Sequence, residues 1–161
     1  MEEKKTDMAV QTKAEAAGPG EKQEGWFSMD MDSGSRNEAF ARTVAAVFAS
    51  RLDPTLEELE DIRTAVSEAV TNAVIHGYGN GTGRIHMEAC IRGKEFVIQI
   101  QDEGAGIPDV EKAMEPMYTT DTTGERSGMG FSFMEAFMDR VEVRSRPGEG
   151  TTVLMTKRIG R

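Results

Sequence analysis

The sequence predicts an α+β fold, a two-layer sandwich in which helices pack on one face of a mixed, mostly antiparallel sheet. Residues 84–91 and 94–101 alternate apolar and polar side chains on either side of Arg92-Gly93, as in a hairpin with one buried face. Residues 141–146 and 151–157 form a second pair of this kind. Ahead of the first hairpin, apolar side chains recur every three or four positions, which is the period of an amphipathic helix.

The N-terminal 25 residues are expected to form a disordered tail. Charged and small side chains dominate there, and Gly18-Pro19-Gly20 interrupts any helix. One folded domain, residues 26–161, should follow, because a chain of 161 residues suits a single domain. Residues 26–31 are predicted to begin this domain as an edge strand.

A first helix is predicted between the edge strand and residue 51. Ser33 or Ser35 is the expected N-terminal cap, and the helix should run to about Arg51. Its apolar side chains fall on one stripe, which is expected to face the core. The stripe consists of Phe40, Val44, Val47 and Phe48.

A second helix is predicted from Thr55 to His76, with Gly77 ending it. Thr55 and Glu58 have the spacing of a capping box, in which each residue accepts a hydrogen bond from the other's backbone. The apolar positions are Leu59, Ile62, Val66, Val70 and Ala73. Beyond the first hairpin, a short helix is expected at 109–115 and another from about Gly130.

Composition excludes several functional classes. With 28 acidic and 19 basic residues, the net charge is −9, whereas a nucleic-acid-binding protein needs a basic face. The single cysteine, Cys90, cannot form an internal disulfide, which suits a reducing compartment, and with two histidines it argues against structural zinc. No apolar run approaches the roughly 20 residues of a membrane span, and no signal peptide is visible. We therefore expect a cytoplasmic protein.

Three short motifs carry the candidate chemistry. Glu68 and Asn72 are one turn apart on the second helix, where a carboxylate can accept a proton and an amide oxygen can bind Mg²⁺. The glycines of residues 102–106 follow a strand and let backbone approach a ligand closely. Residues 126–130 begin a helix, whose N-terminus attracts anions. Taken singly, these motifs also suit a solvated helix face, a glycine turn and a flexible loop, and neither glycine motif is a dinucleotide fingerprint or a P-loop.

In order and spacing, the three motifs resemble the ATP-binding domain shared by histidine kinases, type II topoisomerase ATPases, Hsp90 and mismatch-repair ATPases. Within that superfamily, the motif-bearing runs are similar to the anti-sigma factor serine kinases. These runs are SEAVTNAVIHGY (67–78), DEGAGIP (102–108) and ERSGMGF (125–131). Residues 37–78 and 127–139 resemble the members that act on a sporulation sigma factor of the F type. The resemblance covers about residues 26–158 and implies a Bergerat-type ATP-binding fold.

The resemblance implies a role for each motif residue. Glu68 would be the general base that activates a serine hydroxyl on a partner protein, and Asn72 would bind Mg²⁺. Asp102 would accept a hydrogen bond from the adenine amino group. The other implied nucleotide contacts are Gly104, Gly106 and Thr152, together with Thr119, Thr120, Arg126, Ser127, Gly128, Met129 and Gly130 of a mobile lid spanning about residues 114–130.

Two further positions matter for the implied function. Arg126 is the expected cation at the γ-phosphate, and Arg42 matches a helix arginine that contacts both protein partners in the family. The lid carries Asp121 after Thr119-Thr120, where relatives commonly have Lys-Pro, which places an acid near the triphosphate.

The function implied is an anti-sigma factor that inhibits a sporulation sigma factor of the F type. It would use ATP and Mg²⁺ to phosphorylate a serine of its anti-anti-sigma partner. A homodimer is also implied, with no direct contact to nucleic acid or membrane. One alternative is a non-catalytic module that sequesters the sigma factor in an ATP-dependent manner. Another is a fragment of a histidine kinase, although no dimerisation hairpin with a phosphoacceptor histidine precedes Asp53.

Overall fold

A computed structural model of the protein describes residues 23–115 and 130–160. These residues form five strands in one sheet. The strands are β1 (Gln23–Asp32), β2 (Arg84–Arg92), β3 (Glu95–Asp102), β4 (Arg140–Ser145) and β5 (Thr151–Arg158). The spatial order is β1-β2-β3-β5-β4, and each of these four pairings is antiparallel. The described sheet is therefore antiparallel rather than mixed.

Helices cover one face of this sheet, which confirms the predicted two-layer α+β sandwich. They are α1 (Asn37–Ala49), α2 (Leu56–Asn72), α3 (Val110–Ala113) and α4 (Gly130–Phe137). A 3₁₀ turn, Ser50–Leu52, extends α1, and a π-helical turn, Ala73–Gly77, extends α2. The core lies between the helices and the inward side chains of the strands, among them Ile85, Ile98 and Met155. None of the described helices combines the length and the apolar character of a membrane span.

The N-terminal end of α2 forms as its sequence predicts. The Thr55 side chain accepts a hydrogen bond from the Glu58 N–H at 3.1 Å, and the Glu58 carboxylate accepts one from the Thr55 N–H at 2.9 Å. This reciprocal pair is a complete capping box. The other carboxylate oxygen of Glu58 accepts from the Gly160 N–H at 3.2 Å, so the cap also holds the C-terminal end of the described chain.

Helix α1 differs from its prediction in both its cap and its buried face. Arg36 occupies the N-cap position without a side-chain cap, and the Ser33 hydroxyl instead donates to the Gly81 carbonyl at 2.9 Å. Phe40 and Val47 are 53% and 67% exposed, so the predicted apolar stripe is wrong at these positions. The buried face consists of Ala41, Ala45, Phe48 and Ala49. Small side chains on this face let α1 approach its neighbours closely, which turns the larger residues outward.

The sheet also extends beyond its predictions. β1 begins at Gln23, three residues before the expected start, so the strand includes part of the segment interpreted as a tail. The first hairpin was expected to bury one face, yet Cys90 and Val97 on the other face are also buried and contact Leu154. Cross-strand packing of neighbouring long side chains covers that face at the centre of the sheet.

Candidate functional site

One end of the sheet brings together two of the three predicted motifs. β3 ends at Asp102, which pairs with Ile85 on one side and with Thr151 on the other. The π-helical turn that ends α2 lies against the same point, because a Cβ built on Gly77 would lie 2.8 Å from the Asp102 carboxylate. The motif on α2 and the motif after β3 are thus neighbours in space, and π-helical turns of this kind are frequent at functional sites.

The α2–β3 junction, defined as residues 77–78 packed against residues 102–105, is close-packed backbone. The Ala105 N–H donates to the Gly77 carbonyl at 2.7 Å. A Cβ on Gly104 would lie 2.0 Å from that carbonyl oxygen, which leaves no room for any side chain. Gly104 was interpreted as leaving space for a nucleotide, but the structure shows that the protein's own backbone already requires glycine there.

The turn between β4 and β5 contacts the other side of the same loop. Gly106 has φ +75°, and a Cβ there would lie 1.9 Å from the Arg146 carbonyl oxygen. The Ser145 hydroxyl accepts from the Ile107 N–H at 2.7 Å and donates to the Gly150 carbonyl at 2.8 Å. The loop after β3 is therefore held on both sides, and the proposed contact of Gly106 with a nucleotide remains a prediction.

Asp102 is the buried acid of this site. Its side chain accepts hydrogen bonds from the backbone N–H groups of Gly104, at 2.9 Å, and of Thr151. Burial raises the pKa of Asp102 to about 6, although these backbone hydrogen bonds oppose the rise. At neutral pH the group is a carboxylate, which has more acceptor positions than these two donors occupy and so suits an amino group of a ligand.

The placement of Thr152 does not agree with its predicted role. Thr152 pairs with Gln101, so its side chain lies on the opposite face of the sheet from Asp102. Thr151 pairs with Asp102 and lies on the same face. The missed signal is the alternation counted back from the buried Val153, which assigns position 151 to the helix side.

Glu68 and Asn72 lie one turn apart on α2, as predicted, and both are half-buried. Asn72 is the last α-helical residue before the π-helical turn. Within residues 23–115 and 130–160, no group of three or more His, Cys, Asp or Glu side chains could hold a metal ion. The predicted Mg²⁺ ligand, Asn72, would bind the ion together with phosphate and water oxygens, as Mg²⁺ commonly binds in nucleotide sites.

Several predicted contacts lie outside the described residues. These are Thr119, Thr120, Arg126, Ser127, Gly128 and Met129, with most of the expected lid. Gly130 is described, and it is the buried first residue of α4. Arg42 lies on α1, where its guanidinium pairs with the Glu38 carboxylate at 3.0 Å and remains 37% exposed. That exposure leaves Arg42 accessible to a partner protein.

Sequence reasoning missed Tyr78, whose hydroxyl is hydrogen-bonded on both sides. It accepts from the Glu103 N–H at 2.7 Å and donates to the Arg84 carbonyl at 2.5 Å. Burial raises the pKa of this phenol above its usual value. The one available signal was an aromatic residue directly after a helix-ending glycine, and periodicity carries no information about such a position.

The fold and the junction motifs define the class of protein. Residues 34–157 match the family model of the histidine kinase-like ATPase domain. A solved structure of the RsbU and RsbW domains of Rv1364c from Mycobacterium tuberculosis shares this fold, with a TM-score of 0.61 at 20% identity. That match covers 85% of this chain and 32% of the other.

Curated relatives give the family within this class. The anti-sigma F factor of Thermoanaerobacter sp. (strain X514) is 59% identical over 128 residues, which cover 80% of this chain and 90% of that protein. The anti-sigma F factor of Clostridium acetobutylicum is 56% identical over 125 residues, or 78% and 87% of the two chains. The chain belongs to the anti-sigma F factor family of histidine kinase-like ATPase domains.

Proposed function

We propose that this protein binds and inhibits a sporulation sigma factor of the F type, and that it phosphorylates a serine of an anti-anti-sigma partner with ATP and Mg²⁺. The observation that carries the proposal is the α2–β3 junction. It places a buried carboxylate, Asp102, against the end of the helix that bears Glu68 and Asn72. The membership of the chain in the anti-sigma F factor family supports the same function.

The adenine ring would bind beside Asp102. The carboxylate is held by two backbone N–H groups and accepts a further hydrogen bond from the adenine amino group. Because both sides of the loop are anchored, the acceptor is fixed before the nucleotide arrives. Such preorganisation favours binding, since little ordering remains to be done.

The phosphates would extend from the adenine site toward α2. Asn72 would hold Mg²⁺, which neutralises phosphate charge when it is bound. Arg126 and the glycines near residue 130 would contact the phosphates, and of these only Gly130 is among the described residues. Glu68, one turn before Asn72, would accept the proton of the serine hydroxyl. At the same time the serine oxygen would form a bond to the γ-phosphorus, and the bond from the γ-phosphorus to ADP would break.

The partner proteins would meet the chain through α1. Arg42 is half-exposed and oriented by Glu38. Because both partners are predicted to contact this same residue, the sigma factor and the anti-anti-sigma protein could not bind to it at the same time. Unphosphorylated anti-anti-sigma partner would then displace the sigma factor, and phosphorylation would reverse the exchange. A homodimer of this chain is part of the same proposal.

A phosphorylation assay tests the proposal. The protein is incubated with ATP, Mg²⁺ and its anti-anti-sigma partner, and phosphoserine is measured by mass spectrometry. Glu68→Gln keeps the size of the side chain but removes the base, so we expect transfer to slow by at least about a hundredfold while ATP still binds. If the wild type binds ATP but no phosphoserine forms, the kinase activity is contradicted. The remaining interpretation is then the non-catalytic module that sequesters the sigma factor.

A transcription assay with the same variant separates the two functions. If the protein is a kinase, Glu68→Gln still inhibits the sigma factor, but added ATP no longer restores inhibition after partner-induced release. If the protein only sequesters, Glu68→Gln and the wild type behave alike throughout the cycle.

A further inference from the structure

A tyrosine just beyond α2 joins the two halves of the candidate site. Tyr78 follows the π-helical turn, and its single hydroxyl both accepts from the Glu103 N–H and donates to the Arg84 carbonyl. The ring is half-buried and lies over Gly83, where an added Cβ would be 2.3 Å from the ring edge. The phenol is thus fixed at both its ring and its oxygen.

Each of the three backbone N–H groups that follow Asp102 donates a hydrogen bond within the protein. The N–H of Glu103 donates to the Tyr78 hydroxyl, that of Gly104 to the Asp102 carboxylate, and that of Ala105 to the Gly77 carbonyl. Two of these three bonds end on residues 77–78. Gly77 and Tyr78 therefore tie the backbone that follows Asp102 to the end of α2, in addition to the strand pairing that holds Asp102 itself.

A surface ion pair reinforces the Tyr78 contact. Arg84 pairs with Glu103 at 3.0 Å, and these are the two residues whose backbone groups bond to the Tyr78 hydroxyl. The Arg84 side chain is 42% exposed, so this pair contributes less than the buried bonds do. The hydroxyl of Tyr78 is the connection that reaches Arg84, Glu103 and the end of α2 together.

We propose that Tyr78 is a positioning residue of the nucleotide site, which fixes Asp102 relative to Asn72 and so sets the strength of adenine recognition. Tyr78 acts through the Glu103 backbone and does not itself touch the nucleotide. The inference rests on the proposed binding of ATP through Asp102. It adds that selectivity for the adenine amino group depends on a phenol that does not itself contact the nucleotide.

The test compares two nucleotides that differ only in this amino group. ATP and the triphosphate of unsubstituted purine riboside are titrated against the wild type and Tyr78→Phe by calorimetry. The wild type should bind ATP at least about tenfold more tightly, as one hydrogen bond to a charged acceptor predicts. In Tyr78→Phe, which keeps the ring, this ratio should fall at least threefold because Asp102 is no longer held in place.

Two further variants separate positioning from general destabilisation. Thr55→Ala removes a hydrogen bond at the opposite end of α2, so its melting temperature should fall but its nucleotide ratio should equal that of the wild type. Arg84→Met removes the exposed ion pairs with Glu103 and Asp30 but keeps both hydrogen bonds of the Tyr78 hydroxyl, so it should lower the ratio by a smaller factor than Tyr78→Phe.

The outcomes decide between the two proposals. An unchanged ratio in Tyr78→Phe, with ATP selectivity intact in the wild type, overturns the positioning role and leaves the proposed function standing. If Tyr78→Phe does not fold, amide hydrogen exchange of the wild type decides instead. A Glu103 N–H that exchanges as fast as an unprotected amide is not bonded to the Tyr78 hydroxyl, and this overturns the role. A wild type that binds both nucleotides equally contradicts recognition through Asp102, and the positioning role falls with it.

Discussion

At its N-terminal end, α2 is closed by Thr55 and Glu58, which are three residues apart, whereas its C-terminal end contacts Glu103, 25 residues further along the chain. The first end is capped by polar side chains that bond to adjacent backbone groups. The second end is packed against the backbone after β3, where Gly104 has no space for a Cβ beside the Gly77 carbonyl. The difference indicates that the first end serves helix formation and, through Glu58, holds the C-terminal end of the described chain, while the second holds the candidate site together.

A methyl group at the α2–β3 junction should have the largest effect. In Gly104→Ala the new Cβ would meet the Gly77 carbonyl oxygen at 2.0 Å, and backbone cannot rotate away as a side chain can. We expect the free energy of unfolding to fall by at least about 3 kcal/mol. Urea denaturation followed by circular dichroism measures this.

Gly34→Ala is the matched control for this substitution. Its Cβ would meet only the Asp32 carboxylate, at 2.7 Å, and that side chain can move. We expect a loss below about 1 kcal/mol. Equal losses in the two variants would show that the junction is no more constrained than an ordinary turn.

Replacing the buried Asp102 should change both the pH dependence of the free energy of unfolding and the affinity for ATP. The folded-state pKa of Asp102 is about 6, above the ordinary value of 3.8, so the folded protein binds this proton more tightly than the unfolded chain does between these values. The free energy of unfolding should therefore decline by roughly 2–3 kcal/mol from pH 4 to pH 7 through this group. Asp102→Asn should lack that decline and bind ATP at least about tenfold more weakly. Denaturation at several pH values and calorimetry test both, and an unchanged pH slope would contradict the burial argument.

A change at the N-terminal end should affect stability alone. Thr55→Ala removes one side of the capping box, and the loss of such a cap costs about 1 kcal/mol. The affinity for ATP should not change, because Thr55 lies at the opposite end of α2 from the α2–β3 junction. Thr55→Ser retains the hydroxyl and should remain close to wild type. A loss of ATP affinity in Thr55→Ala would mean that the two ends are coupled.

The smallest effect is expected at Glu58, and its sign is opposite to that of Asp102. The hydrogen bond from the Thr55 backbone, followed by those of Gly160 and the Thr55 side chain, lowers the pKa of Glu58 below its ordinary value of 4.5. Its stabilising contribution is present above pH 4.5 and is lost as the pH falls through the lowered value. Glu58→Gln should therefore flatten the acid side of the stability curve, as denaturation between pH 3 and pH 5 would show.

Much of the fold could be predicted because the relevant interactions are local. The capping box, the end of the second helix at Gly77 and the turn after Arg92 each depend on residues within a few positions of one another. The apolar stripe of α1 could not be predicted in the same way, because both Phe40 and Ala41 fit a helical period. The choice between them was made by the close packing that alanines allow.

The candidate site likewise contains residues that the sequence could indicate and one that it could not. Glu68, Asn72 and Asp102 could be named as candidates from their spacing and resemblance, and strand alternation could have placed Thr151 rather than Thr152 on the same face as Asp102. The role of Tyr78 could not, since its partners are the backbone atoms of Arg84 and Glu103, and backbone groups have no sequence signature. Because any residue can supply a backbone N–H or carbonyl, no particular partner residue of Tyr78 can be recognised in the sequence.

By itself, the sequence determined the helices and strands of the sandwich, the cap at which α2 starts and the glycine, Gly77, at which its π-helical extension ends. Periodicity, capping and turn preferences depend on residues that lie within a few positions of one another, so they can be recognised in the sequence. Only the tertiary structure decided which face of α1 is buried, and that Gly104 is glycine because Gly77 lies against it. The reason is that close packing depends on the shapes of two segments at once, and one of those segments is distant in the sequence.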